Sequence, residues 1–172
     1  MERTQLIRRI LETAYLEGAF VLRSGKRSRY YLDKYLFESQ PDILGALGDA
    51  MAELIPPGVD VLAGPELGGI PLATVLSLKT GIPFVIVRKE AKSHGTGQRI
   101  EGKLKQGDRV VIVEDVVTTG GQLIESARAL EETGAVIQRV LCVIDREEGA
   151  RANIEAAGYG FEPLLTKTDL GI

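Results

Sequence analysis

Between Val110 and Gln122 the chain reads VVIVEDVVTTGGQ, so two adjacent carboxylates, Glu114 and Asp115, precede two threonines and two glycines by a few positions. Glycines at 120 and 121 let the backbone turn tightly and approach a ligand with no Cβ in the way. Successive N–H groups there, followed by a helix N-terminus, favour a phosphate, and the hydroxyls of Thr118 and Thr119 add donors. Carboxylates repel phosphate, so Glu114 and Asp115 must address something else. Sugar hydroxyls, a cation and positive charge developing at a sugar carbon all suit them. A phosphorylated ribose satisfies both halves of the segment.

The elements around this segment are strand and helix. Val110–Val113 is an unbroken β-branched run of the kind buried on both faces of a sheet, and from Gln122 the apolar spacing of Leu123, Ala127 and Leu130 becomes helical. In open α/β sheets, ligands sit at the carboxyl ends of strands. Upstream, Glu2–Glu17 reads as an amphipathic helix stopped by Gly18, Arg29–Phe37 as a strand, and Pro41–Ile55 as a helix ended by Pro56-Pro57-Gly58. Strands are expected at Val59–Ala63, Phe84–Arg88, Val136–Ile144 and Phe161–Leu165, with helices at Pro71–Lys79 and Glu148–Ala157. This alternation predicts an α/β fold with a doubly wound, mainly parallel sheet flanked by helices. Residues 1–172 form one domain on this reading. About 1–56 supply a cap, or hood, with the first helices, and about 57–165 supply the α/β core.

Three other stretches carry chemistry. Gly64-Pro65-Glu66-Leu67-Gly68-Gly69 follows a strand and suits a backbone-lined anion site. The polar run after Val87 gathers Arg88, Lys89, Lys92, Arg99 and Lys103 against only Glu90 and Glu101, in a chain that is acidic as a whole (21 basic and 24 acidic residues, net −3). A long loop of this kind suggests a lid that orders over a polyanion. The sole histidine, His94, sits in it and is suited to donating to phosphate or to a leaving group. At the end of the next-to-last strand, Arg146 of Asp145-Arg146 could grip a carboxylate with both arms of its guanidinium, or simply pair with Asp145 at the surface.

The net charge implies no nucleic-acid partner, and no apolar run is long enough to span a membrane. One cysteine, Cys142, lies in an apolar run and reads as a buried inert thiol, consistent with a reducing, cytoplasmic setting.

These segments resemble the type I phosphoribosyltransferases, which bind phosphoribosyl pyrophosphate (PRPP) through two acids and a T-x-G-G-like loop. Within that class the resemblance is to the orotate phosphoribosyltransferase family. Its R-K-x-x-K-x-H-G loop is matched by Arg88, Lys89, Lys92, His94 and Gly95. Its cap motif K-S-G-x-x-S-x-Y is matched by Arg23-Ser24-Gly25 and Ser28-Arg29-Tyr30, and its D-R by Asp145-Arg146. The resemblance implies magnesium-dependent transfer of ribose-5-phosphate from PRPP to orotate, giving orotidine 5′-monophosphate and pyrophosphate in pyrimidine biosynthesis. It implies that Arg88, Lys89, Lys92 and His94, with Glu114, Asp115, Val116, Val117, Thr118, Thr119, Gly120, Gly121 and Gln122, bind PRPP. Lys89, Lys92, His94, Glu114 and Asp115 would be catalytic, and Arg23, Thr118 and Arg146 would contact orotate. Mg²⁺ would be held mainly through PRPP, with no direct protein ligand. A homodimer is implied, with the Arg88–Lys103 loop shared between subunits. Two departures stand out: Leu67-Gly68 replaces a family lysine in the pyrophosphate loop, and Tyr31-Leu32 replaces an aromatic pair near orotate. The alternatives are a purine-base phosphoribosyltransferase and a PRPP-sensing regulator without catalysis.

Overall fold

The computed structural model describes residues 1–21, 25, 27–90 and 99–172. Arg23, Lys92 and His94, and the rest of the polar run from Ala91 to Gln98, lie outside the described residues. In chain order the elements are α1 (Arg3–Ala14), β1 (Tyr15–Val21), β2 (Arg27–Leu32), α2 (Lys34–Glu38), α3 (Pro41–Ala52), β3 (Val61–Pro65), α4 (Gly69–Thr80), β4 (Phe84–Val87), β5 (Ile100–Glu101), β6 (Arg109–Val117), α5 (Gly121–Glu131), β7 (Val136–Asp145), α6 (Ala150–Ala156), β8 (Phe161–Thr166) and α7 (Lys167–Leu170).

Six strands form one sheet in the order β5-β4-β3-β6-β7-β8, with β6 near its centre. Every pairing is parallel except β4 with β5, which run antiparallel through Val87↔Ile100. The expected doubly wound, mainly parallel sheet is therefore present. Its faces sort by residue parity along the strands. On one face Val111, Val113, Leu141 and Val143 pack with Leu6, Ile10, Ile43, Leu47, Met51 and Leu72, so α1, α3 and α4 cover it. On the other, Val110, Ile112, Val140 and Cys142 pack with Leu123, Ala127, Leu130 and Ile154 from α5 and α6. Cys142 is fully buried, as the apolar run around it implies.

The first 56 residues differ from expectation in three ways. The helix expected over Glu2–Glu17 ends at Ala14, because Tyr15, Leu16 and Glu17 pair antiparallel with Leu32, Tyr31 and Tyr30. Sheet pairing there takes the backbone that the helical apolar spacing would have claimed. The strand expected over Arg29–Phe37 stops at Leu32, where the Asp33 carboxylate accepts the Tyr35 N–H at 3.1 Å and caps α2. Finally, α1 and α3 are part of the core, so the segment beside the strands' carboxyl ends is the β1–β2 hairpin with α2. A fourth difference falls on the polar loop, whose far stem, Ile100–Glu101, is a strand pinned by Arg88 N–H to Arg99 O at 2.8 Å.

Candidate active site

A cleft of ≈ 260 Å³ opens at the carboxyl end of β6. Glu114 through Leu123 line it, together with Lys34, Tyr35, Glu66, Leu67 and Lys89. The β6 run ends in Glu114, Asp115, Val116 and Val117, and Thr118 and Thr119 stand exposed at the turn. Gly120 adopts φ 80° as the N-cap of α5, with no side chain capping the helix. A Cβ at Gly120 would also lie 2.8 Å from Ile154 Cγ1, so both the turn and the close packing of α6 require glycine. The exposed hydroxyls and the uncapped N–H groups at the start of α5 thus face the cleft as donors for an anion.

Two hydrogen bonds draw the neighbouring loops to this turn. The Glu66 side chain accepts the Lys89 N–H at 2.6 Å, and its carbonyl accepts from Gln122 Nε2 at 3.3 Å. The Gly64–Gly69 stretch, whose Glu66–Leu67 peptide is cis, and the start of the polar loop therefore share one wall. Glycine at 64 and 69 permits this: a Cβ at Gly64 would stand 2.5 Å from Gly69 O.

The acids are not simply open to the cleft. Asp115 is fully buried and Glu114 nearly so. Glu114 Oε1 accepts the Asp115 N–H at 3.0 Å, and Asp115 Oδ1 accepts the Val116 N–H. Asp115 Oδ2 lies 2.7 Å from Lys34 Nζ, yet this approach is off-axis and no hydrogen bond completes that oxygen among the described residues. Glu38, buried at the end of α2, is the third acid of the group. Burial, and then the negative charge of Asp115, push Glu114 well above the usual carboxyl range. The same causes in the same order push Glu38 up to about 9. Burial pulls the Lys34 ammonium down, but the Asp115 and Glu114 carboxylates outweigh it and hold Lys34 above its ordinary value.

A pH dependence of stability follows from Glu38. An unfolded chain ionises this carboxyl near 4.5, whereas the folded one keeps its proton to about 9. The contribution of the neutral carboxyl is fully present below the lower value and is lost as pH rises through the upper one. Glu38→Gln, neutral throughout, should therefore gain in Tm over the parent as pH is raised from about 5 to about 8.5 in thermal scans. A constant difference across that window would show that Glu38 is not held neutral.

Arg146 stands one strand away. Its N–H donates to Val117 O at 2.8 Å, tying β7 to the β6 turn. Its guanidinium lies 5.9 Å from the centre of the Tyr30 ring, which stacks on Tyr15 with ring centres 5.4 Å apart. Arg146 reaches Glu148 at 3.3 Å, while its buried Nε has no hydrogen-bond partner among the described residues. The alternative of an Arg146–Asp145 surface pair is not what forms. Asp145 is buried, and its Oδ1 accepts the Glu147 N–H at 2.8 Å in a turn that places Glu147 at φ 57°. Of the two residues replacing the aromatic pair, Leu32 is in the core and Tyr31 is exposed beside Phe20.

The structure thus brings Lys89 and residues 114–122 into one cleft. Arg88 is half-buried outside the lining, and Arg146 sits beside the turn without lining it. Lys34, Tyr35 and Glu38 were not apparent from sequence. The signal that finds α2 is Asp33, a capping residue followed by KYLFE, which carries no glycine, proline or β-branched residue.

A parallel sheet with a two-acid strand end, a hydroxyl-glycine turn and a bare helix N-terminus defines a phosphoribosyltransferase domain. Residues 37–163 match the model of the phosphoribosyl transferase domain family. The chain belongs to the orotate phosphoribosyltransferase family. It is 48% identical over 171 residues to the orotate phosphoribosyltransferase of Methanopyrus kandleri, covering 99% of this chain and 92% of that one. Among solved structures, the Mycobacterium tuberculosis orotate phosphoribosyltransferase in complex with Fe(III) dicitrate superposes with TM-score 0.90 at 33% identity, covering 99% of each chain. The same enzyme in complex with PRPP gives TM-score 0.85 at 30% identity, again over 99% of each chain.

Proposed function

We propose that the cleft at the end of β6 binds PRPP as its magnesium complex and transfers the ribose-5-phosphate group to orotate, releasing pyrophosphate. The observation that carries this reading is the junction of Glu114 and Asp115 with an uncapped α5 N-terminus in one cleft. The 5-phosphate sits in the turn Thr118–Gly121, held by amides and hydroxyls. Glu114 and Asp115 face the ribose hydroxyls and favour the cation-like sugar that forms as C1 parts from pyrophosphate. Lys89 neutralises charge on the leaving group from the wall shared with Gly64–Gly69. The same role for Lys92 and His94, that of Arg88 on PRPP, and that of Arg23 near the base rest on the family motifs alone.

Magnesium enters with the substrate. Among the described residues no group of three or more acidic, histidine or cysteine side chains is placed to hold an ion. Asp115 meets Lys34, and Glu114 accepts a backbone N–H. Such a donor set suits an ion carried on PRPP oxygens and does not form a protein cage. Bound there, the ion offsets charge growing on the diphosphate.

Orotate brings a carboxylate and an already acidic ring nitrogen, so its attack on C1 needs little base catalysis. Arg146, whose Nε is unpartnered among the described residues, suits that anion and would be poorly used by a neutral purine. Arg146→Ala should raise KM for orotate roughly 10- to 100-fold, the worth of a charged hydrogen-bonded pair, with KM for PRPP within about threefold. Equal effects on both substrates would remove Arg146 from the base site.

A homodimer that shares the Arg88–Lys103 loop, and a cytoplasmic setting, complete the reading. The first is supported by the family motif, and the second by Cys142, a buried free thiol. No described helix is long and apolar enough to cross a membrane. The decisive experiment follows orotate absorbance with PRPP and magnesium. Orotate consumption with pyrophosphate release supports the reading, whereas turnover of adenine or guanine alone, or PRPP binding without turnover, defeats it.

A further inference from the structure

Three carboxyls meet beneath the cleft, and among the described residues Lys34 is the cation in contact with one of them, Asp115. Glu114 and Asp115 come from β6 and Glu38 from the end of α2, all of them buried. Lys34 begins α2 one turn before Glu38, so its side chain and that of Glu38 emerge on the same side of the helix. Its ammonium meets Asp115 Oδ2 at 2.7 Å, and its side chain, one-third exposed, lines the cleft. Oδ2 has no hydrogen-bond donor among the described residues. A carboxylate buried this deeply is costly without a counterion, and Lys34 supplies one. The carboxylate cannot accept from a sugar hydroxyl unless an oxygen is left open.

We infer that Lys34 is a positioning residue for the ribose: its ammonium, in contact with Oδ2, holds the Asp115 carboxylate in place at the cleft wall as the acceptor for a hydroxyl of PRPP. This deepens the proposed function and rests on the role given there to Asp115. Lys34 is already in place before the sugar arrives, and with Gly68 packed on its other side Oδ2 is fixed in position. Tyr35, whose ring lies 5.2 Å from the same ammonium, supplies a second favourable surface for it. The effect belongs to PRPP and not to orotate, because Arg146, Tyr30 and Tyr15 form a separate group beyond the cleft lining.

The test measures both KM values by steady-state kinetics for Lys34→Met, Lys34→Arg, Glu38→Gln and the double variant Lys34→Met/Glu38→Gln. Lys34→Met should raise KM for PRPP roughly tenfold, with KM for orotate changed less than about twofold. Lys34→Arg should return KM for PRPP to within about threefold of the parent. The double variant should match Lys34→Met within about twofold, because Glu38 already carries its proton and its amide removes no charge. A rise confined to KM for PRPP and reversed by arginine is a result a merely structural lysine would not produce. An unchanged KM for PRPP in Lys34→Met, no rescue by Lys34→Arg, or equal rises in both KM values would overturn the inference. Should Lys34→Met fold poorly, Lys34→Gln keeps the stem without the charge and is read in the same way. Asp115→Asn serves as the reference. If it leaves KM for PRPP intact, the role of Asp115 itself fails. If it raises KM for PRPP while the Lys34 variants do not, only the present inference fails.

Discussion

Asp115→Asn should lower kcat/KM for PRPP by roughly 10²-fold while leaving the fold intact or slightly more stable. The carboxylate holds ribose hydroxyls before reaction and faces a positively charged sugar during it, so its charge counts most in the transition state. An amide retains the shape and one acceptor oxygen but brings no negative charge to that centre. The same substitution removes a charge from a buried group in which burial, and then Asp115, push Glu38 and Glu114 upward. Relief of that repulsion offsets the loss of the Lys34 ion pair, so the variant's Tm should equal or exceed the parent's. Initial velocities at saturating orotate, with a thermal scan, check both halves. Unchanged kcat/KM would move the sugar elsewhere, and a fall in Tm with a matching fall in active fraction would make Asp115 structural.

This coupling of stability to reactivity explains why the site was only partly legible in the sequence. The β6 strand announces itself by four consecutive β-branched residues, and the turn by hydroxyls and glycines, because each feature is local and has few other uses. The β6–α5 unit accordingly appears where it was expected, at Arg109–Val117 and Gly121–Glu131. Lys34 and Glu38 carry no such mark. Their partner, Asp115, lies some eighty positions away, and only the packing of α2 beside the end of β6 joins them. The tyrosine-rich stretch around them has strand propensity, which Asp33 overrides by capping a helix. Likewise β5 is two residues long and shows no period to detect; it exists because the Val87 and Arg88 backbone groups need partners. Arg146 was legible as a candidate, but the Tyr15–Tyr30 stack that carries it depends on hairpin register.

Adjacent glycines beside the cleft should respond to alanine in opposite ways, and this contrast tests whether the site is shaped by backbone approach. At Gly69 a Cβ would stand 2.6 Å from Val113 O and 2.7 Å from Pro65 Cδ, on the first turn of α4 where it packs against β6. Neither neighbour is the end of a flexible side chain, so the helix must move away from the sheet. Gly69→Ala should therefore cost about 2–3 kcal/mol of stability, the usual range for overpacking a core or slightly above its middle. At Gly68 the Cβ would instead run into the carboxylate of Asp115. That side chain can rotate, but only by leaving Lys34 and turning Oδ2 from the cleft. Gly68→Ala should consequently keep most of its stability and lose PRPP use about as severely as Asp115→Asn, roughly 10²-fold in kcat/KM. Gly121→Ala is the control for the loop. Its Cβ would meet nothing within 4 Å, and its backbone is already helical, so its Tm should not fall. Denaturant melts with PRPP kinetics on all three variants separate the outcomes. A Gly68→Ala enzyme with normal KM for PRPP and normal kcat would show that the Asp115 carboxylate is free to move without consequence, and would remove Asp115 from the sugar site.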